Sequence, residues 1–302
     1  MYNNSKIIQG LMRLNDISVE ELENLLKFDL ENGITFLDIS DIYGNGACEE
    51  KLGQVFSRNP ELRDKFFIQT KCGIVRLDDG KQTYYDLSYE HIIDSVNNSL
   101  NRMKIDSIDC LLLHRPDIFL DAKEVARAFA TLLQQGKVKH FGVSNFPHEM
   151  MKYIKDQTNI PIEVNQLQLG LGHLALVREV FNVNTNHDSG IERTGELFFY
   201  MKRYGVKLQC WSPYQYGFFE GSIFKKEEMK DTVVYLEELG KKYNVAPASI
   251  ATSFLLMLGD NIQVITGSTN KKQIKESIDG CGVKLTKEEW YILYRSTHNL
   301  LP

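Results

Sequence analysis

Short apolar runs, each too brief for a helix, recur along the chain with amphipathic stretches between them. This alternation constrains the fold more than any other feature. The runs are Ile34–Asp38, Phe66–Lys71, Ile108–His114, His140–Ser144, Ile162–Gln166, Lys207–Trp211 and Gln263–Gly267, with a weaker opener at Lys6–Leu11. Continuous hydrophobicity over so short a length is the pattern of a strand covered on both faces. The segments between carry helix signals. Ser18-Val-Glu-Glu21 is a capping box ahead of Leu22, Leu25, Leu26 and Leu30, with Gly33 as the stop. Ser88 opens a helix bearing Ile92, Ile93, Val96 and Leu100, and Val125 to Leu133 runs on to Gly136. Leu236 to Tyr243 keeps the helical period, and Thr286-Lys-Glu-Glu289 is a second capping box. Eight strands alternating with helices over 302 residues predict an α/β fold, a single (β/α)8 TIM barrel forming one domain over residues 1–302. A doubly wound open sheet shares this periodicity, and only closure separates the two. The polar segment Asn182–Arg193 reads as a long surface loop.

Composition narrows the function classes. A net charge of −5, with 43% hydrophobic and 25% charged residues, is ordinary for a globular chain and gives no global pull toward nucleic acid or anionic lipid. No window approaches the roughly 18 apolar residues of a membrane span, and Met1 to Gly10 lacks the basic and apolar regions of a signal peptide. The five cysteines (Cys48, Cys72, Cys110, Cys210, Cys281) are odd in number, scattered and never spaced as CxxC, which suits reduced thiols in a cytoplasmic protein. His173, His187 and His298 stand apart with no metal-ligand spacing, so no metal is expected. The fragment Tyr43-Gly44-Asn-Gly46 lacks the third glycine of a dinucleotide fingerprint and follows the second apolar run, not the first.

The chemistry lies at the C-terminal ends of the runs. These end in Asp38, Lys71, His114, Ser144 with Asn145, Asn165 with Gln166, and Trp211 with Ser212. In an α/β barrel such ends converge on one face, where active sites are built. Tyr43 follows Asp38 by five residues. A phenol near pKa 10 is a poor acid at neutral pH. A neighbouring ammonium lowers that value, and a carboxylate holds the ammonium in place. Lys71 and Asp38 supply those two groups, and His114 adds a donor for a carbonyl oxygen. Taken singly, each has a structural reading: packing for Tyr43, a solvated strand end for Lys71, a cap for Asp38 and a satisfied core histidine for His114. Only the combination points to catalysis. Cys72, beside Lys71, has no base at fixed spacing and reads as wall, not nucleophile.

Gly33-Ile-Thr-Phe-Leu-Asp38, Tyr43-Gly44, Thr70-Lys71-Cys72-Gly73, Leu111-Leu-Leu-His114-Arg-Pro116, Gly142-Val-Ser-Asn-Phe146, Val164-Asn-Gln166 and Trp211-Ser-Pro213 resemble, in order and spacing, the aldo-keto reductase superfamily. It looks like the bacterial oxidoreductase branch whose seventh strand ends in Trp-Ser. The resemblance implies a barrel that reduces aldehydes or ketones to alcohols with NADPH, NAD being the alternative, and without metal. It assigns Tyr43 as general acid, Lys71 and Asp38 as its tuning pair, and His114 as the carbonyl-orienting group. It also implies cofactor contacts at Gly10, Met12, Arg13, Asp38, Ser144, Asn145 and Gln166. Trp211 would be the platform under the nicotinamide, and Ser212, Pro213, Tyr214 and Gly217 would lie over the pyrophosphate. Gly267, Ser268, Thr269, Asn270 and Gln273, with Lys271 and Lys272, would lie near the adenosine 2′-phosphate. Tyr214 replaces the family's usual Leu, and Gln273 stands where many relatives carry Arg. Met12, Tyr43, His114, Arg115, Tyr214 and the tail around Leu300 would line the substrate pocket, with Arg115 favouring an anionic substrate end. The expected partner is a small-molecule carbonyl substrate, with neither nucleic acid nor membrane. The competing class is a cofactor-binding sensor on the same barrel, with slow turnover.

Overall fold

The computed structural model describes Asn3, residues 5–76, 83–181, 195–217 and 220–298. The expected surface loop Asn182–Arg193 and the tail at Leu300 lie outside the described residues. The chain divides into two compact units, Met1–Gln166 with Gly267–Thr269, and Leu167–Thr266 with Asn270–Pro302.

All eight expected strands form: β1 (Ile7–Gly10), β2 (Phe36–Asp38), β3 (Phe67–Cys72), β4 (Ile108–Leu113), β5 (Val138–Ser144), β6 (Ile162–Gln168), β7 (Lys207–Trp211) and β8 (Ile262–Thr266). They close into a barrel in sequential order, which removes the open-sheet alternative. Pairing is parallel, with Gly10 opposite Asp38, Asp38 opposite Gln69, and Lys71 opposite Leu112. On the far side of β5, Ser144 pairs with Gln166 of β6. This register sets Asp38, Lys71 and Gln166 near the same end of their strands. Gly142 of β5 is required by close packing, because a Cβ there would lie 2.7 Å from the Val164 carbonyl oxygen and from a Leu112 methyl.

The helices of the first unit are α1 (Val19–Glu31), α2 (Ala47–Arg58), α3 (Tyr89–Met103), α4 (Ala122–Gln134) and α5 (His148–Lys155). Those of the second are α6 (Ala175–Phe181), α7 (Gly195–Tyr204), α8 (Lys230–Tyr243), α9 (Pro247–Leu256), α10 (Lys271–Asp279) and α11 (Lys287–Ser296). Both capping boxes form: Ser18 and Glu21 exchange hydrogen bonds at the start of α1, as Thr286 and Glu289 do at α11. Leu22, Leu25 and Leu26 of α1 are buried, as their period requires. A short antiparallel hairpin, Ile74–Arg76 with Thr83–Tyr85, follows β3. It was not expected from the sequence, since no face of it is buried. Among the described residues no helix is long and apolar enough to cross a membrane.

The strands are not uniformly apolar inside. Gln9, Gln69, Gln209 and Gln263 are buried at strand positions, and the Gln209 amide donates to the Gln263 oxygen at 3.2 Å. Most buried amides are paired, though Gln9 keeps its buried Oε1 without a hydrogen-bond partner, and these glutamines place hydrogen-bonding groups where other barrels carry branched aliphatics.

Candidate active site

Lys71 is the centre of the first unit's polar cluster. Its side chain is fully buried, and its Nζ donates to Asp38 Oδ2 at 2.8 Å, to the Ile39 carbonyl at 2.8 Å and to the Tyr43 hydroxyl at 3.2 Å. An ammonium removed from water needs all its protons directed at acceptors, and these are three. Asp38 is satisfied in turn: its Oδ1 accepts from Gln69 Nε2 at 2.8 Å and from Gln166 Nε2 at 2.9 Å. Tyr43 stands in a short 3-10 turn after β2, where Gly44 and Asn45 both take positive φ to swing the chain into α2. His114, just beyond β4, meets the Tyr43 ring edge-on with centroids 6.0 Å apart.

Charge in this cluster follows from burial and neighbours. Burial opposes the charge on Lys71, but Asp38 and then Tyr43 outweigh it and hold the ammonium above its ordinary range. Tyr43 corrects the expectation of a depressed phenol. Burial raises it more than the Lys71 charge lowers it, and Asp38 pushes it further up. The phenol therefore keeps its proton. Burial, with Lys71 and Arg115 adding positive charge, drives His114 well below the usual imidazole value, so its ring is neutral. Cys72 is pushed well up by burial, then by Asp41 and Glu49, and remains a thiol of the wall.

Beside this cluster, Ser144 Oγ donates to the Gln166 carbonyl at 2.9 Å and accepts from Asn145 Nδ2 at 2.9 Å. Asn145 holds a positive φ of 61° directly after β5, a strained turn of the kind that concentrates at functional positions. Gly10 ends β1, and Met12 follows it, 39% exposed. Arg13 Nη1 reaches the Gly267 carbonyl at 2.8 Å, and Gln9 Nε2 reaches that of Ser268 at 3.0 Å, so β1 and the residues just after it hold Gly267 and Ser268. Arg115 adjoins His114 and is half-buried.

Within the second unit, half-buried Trp211 ends β7, and Ser212 takes a positive φ of 49°. Pro213 is packed so tightly on Gly170 that a Cβ there would lie 2.9 Å from its carbonyl carbon. The Gln168 amide holds the Gly217 carbonyl at 2.5 Å. The Tyr214 hydroxyl bonds Thr252 Oγ1 at 2.6 Å and Ser277 Oγ at 2.7 Å, which ties its polar end to α9 and α10. Asn270 caps α10, its Oδ1 accepting from Lys272 N at 2.9 Å and Gln273 N at 3.4 Å. Among the described residues no group of His, Cys, Asp and Glu is placed to hold a metal.

Sequence reasoning missed Gln69, Ser40 and Asp41. Gln69 was findable, being two residues before Lys71 and so on the same side of β3. Ser40 touches His114 Nδ1, and Asp41 touches Ser40.

The chain matches the model of the Aldo/keto reductase family over residues 6–295 and belongs to that family. It is an oxidoreductase of the carbonyl-reducing class, which uses nicotinamide cofactors and small carbonyl substrates. It is 32% identical over 297 residues to a protein named 6-dehydroglucose reductase from Agrobacterium fabrum, covering 96% of this chain and 93% of that one. It is 30% identical over 299 residues to the uncharacterized oxidoreductase YcsN of Bacillus subtilis, again 96% and 93%. A thermostable aldo-keto reductase crystallised with the inhibitor epalrestat shares the fold at TM-score 0.75 and 22% identity, over 96% of this chain and 94% of its own.

Proposed function

We propose that this chain reduces small aldehydes or ketones to alcohols with NADPH, Tyr43 protonating the carbonyl oxygen. The observation that carries the reading is the buried sequence Asp38–Lys71–Tyr43, with contacts of 2.8 and 3.2 Å, and neutral His114 at its edge. The residues present suit the cofactor. Ser144, Asn145 and Gln166 form a hydroxyl-and-amide group matched to a carboxamide, and Trp211 offers a flat aromatic face at the end of β7. Gly10, Met12, Arg13, Asp38, Ser212, Pro213, Tyr214, Gly217, Gly267, Ser268, Thr269, Asn270 and Gln273 are proposed as its further contacts. Bound NADPH would supply the hydride to the carbonyl carbon.

The chain's own residues handle the proton. Burial keeps Tyr43 protonated until a developing alkoxide draws the proton from its hydroxyl. The phenolate left behind lies 3.2 Å from the Lys71 ammonium, which stabilises it. Asp38 keeps that ammonium charged and fixed, and Gln69 and Gln166 fix Asp38. His114 donates to the carbonyl oxygen and sets its direction. Met12, Arg115 and the ring of Tyr214 are proposed to border the substrate, and the likeness to a 6-dehydroglucose reductase brings sugar aldehydes into the class to be assayed.

The test is Tyr43→Phe with NADPH and a generic aldehyde such as 4-nitrobenzaldehyde. Reduction should fall by about 10²–10⁴, the worth of a general acid, while NADPH affinity stays within a few fold. A variant keeping more than about a tenth of wild-type kcat would remove Tyr43 from the role.

A further inference from the structure

We infer that Ser40 and Asp41 form a relay that decides which ring nitrogen of His114 carries the proton, making both positioning residues for the reaction proposed above. Ser40 Oγ lies 3.1 Å from His114 Nδ1 and 3.2 Å from Asp41 Oδ1, and 3.4 Å from the Lys71 carbonyl. The serine is fully buried and has one proton to place among these three acceptors. A neutral imidazole also has one, so the two choices are linked.

When Asp41 is ionised, the serine proton is drawn to its carboxylate. Ser40 Oγ can then only accept from the imidazole, so His114 carries its proton on Nδ1. Nε2 is left as a bare lone pair, which repels a carbonyl oxygen instead of holding it. When Asp41 is protonated, its O–H donates to Ser40 Oγ. The serine then turns its own proton to Nδ1, the nearer of the two acceptors left. His114 must now be the Nε2–H form, a donor. Ionising Asp41 thus releases one proton to solvent and exchanges one imidazole tautomer for the other. No other atom changes hands.

The surroundings of Asp41 bring this exchange into the neutral range. Its carboxyl is pushed up to about 7, by burial first and by Glu49 second, against the opposing pull of Ser40, Arg102 and the Ile42 amide. Glu49 comes from α2 and is itself held by Thr70 of β3 at 2.6 Å and by Arg102 of α3 at 2.8 Å. Cys72 of β3 also faces the carboxylate and remains a neutral thiol. On the His114 side the facing groups are Lys71, Arg115 and the Tyr43 ring.

The experiment is nitrogen-15 NMR of the histidine side chains in the cofactor-free protein, followed from about pH 5.5 to 8.5, either side of the Asp41 titration near 7. Wild type should pass from the Nε2–H to the Nδ1–H form of His114 as pH rises. Asp41→Asn, whose amide donates to Ser40 at every pH, should stay Nε2–H throughout. Ser40→Ala should lose the pH response. Steady-state kcat of the wild type should fall about tenfold or more over the alkaline limb, toward the 10²–10³ worth of a preorganised donor, and the Asp41→Asn profile should lose that limb. A wild-type tautomer that does not move with pH, or variants that titrate as wild type does, would overturn the relay. The NMR needs no turnover, so a protein inactive on every aldehyde would refute the reductase reading and leave the relay standing on its own result.

Discussion

Replacing Lys71 by Met tests the energetic logic of the site, because Met keeps much of the stem and removes only the charge and its protons. Nζ makes three contacts, at 2.8, 2.8 and 3.2 Å, from a side chain with no exposure, and its partner Asp38 is only 4% exposed. After the change Asp38 Oδ1 keeps the Gln69 and Gln166 amides, but Oδ2 faces no cation. Breaking one side of a buried pair costs about 3–5 kcal/mol, a large share of the roughly 5–15 kcal/mol that holds a typical domain folded. The cost arises from the stranded carboxylate more than from the lost attraction. Adding Asp38→Asn should therefore recover half or more of it, since a neutral amide can stay buried on the two glutamine donors. The measurement is urea unfolding of wild type, both single variants and the double variant, at several pH values. A single variant that loses less than about 1 kcal/mol, or a double variant no more stable than Lys71→Met, would refute the buried-pair argument whatever the activities are.

Two further outcomes are expected. If Ser268, Asn270, Lys271 or Lys272 meets a 2′-phosphate, NADPH should bind about ten- to a hundredfold tighter than NADH at low salt, a screened effect of about 1–3 kcal/mol. Gln273→Arg should widen the gap, and equal affinities in a fluorescence titration would remove the preference for NADP. Glu289→Ala should cost about 1 kcal/mol near neutral pH by opening the capping box of α11. Lys242, the Thr286 amide and Tyr243 hold the carboxylate at about 2 against the opposing effect of burial, so its contribution is lost as pH falls from about 4 through 2. A deficit in urea midpoint that persists unchanged at the acid end would show that Glu289 acts by packing instead.

The barrel strands were legible because parallel strands covered on both faces leave a run of apolar residues with polar ends, and that signal is local. Asp38, Lys71, Tyr43 and His114 could be picked out for the same reason, as three strand ends and a tyrosine at fixed distance from one of them. The hairpin after β3 left no such trace, since Thr83, Tyr84 and Tyr85 are exposed and no periodicity separates them from a loop. Helix α9 was hidden for the opposite cause. Its buried residues run unbroken from Ser249 to Leu255, so there is no polar face to set the 3.6-residue period. The sign of the Tyr43 shift was out of reach because it is a contest between burial and a neighbouring charge. Charge can be read from residue types, but the depth of burial comes only from packing. Ser40 and Asp41 stand between two recognised residues and still gave no signal. Their role depends on which atoms face Nδ1 of a histidine 74 positions along the chain, and spacing in the sequence does not encode that.

The polar interior also bears on why these residues are present. A barrel of this kind is stabilised by its buried aliphatic layers, and an ion pair set among them is weak evidence of stability, because well-packed apolar residues would serve the fold as well or better. Lys71, Asp38, Gln69 and Gln166 are costly to bury and are joined by hydrogen bonds centred on Asp38, with Lys71 Nζ also reaching the Tyr43 hydroxyl. Selection for folding alone does not demand such a cluster. The proton-donating role proposed for Tyr43 would demand both, a dry setting to keep the phenol protonated and a fixed cation to receive the phenolate. The price is the sensitivity expected of Lys71→Met: a site that holds Lys71 charged leaves Asp38 stranded when the lysine is lost.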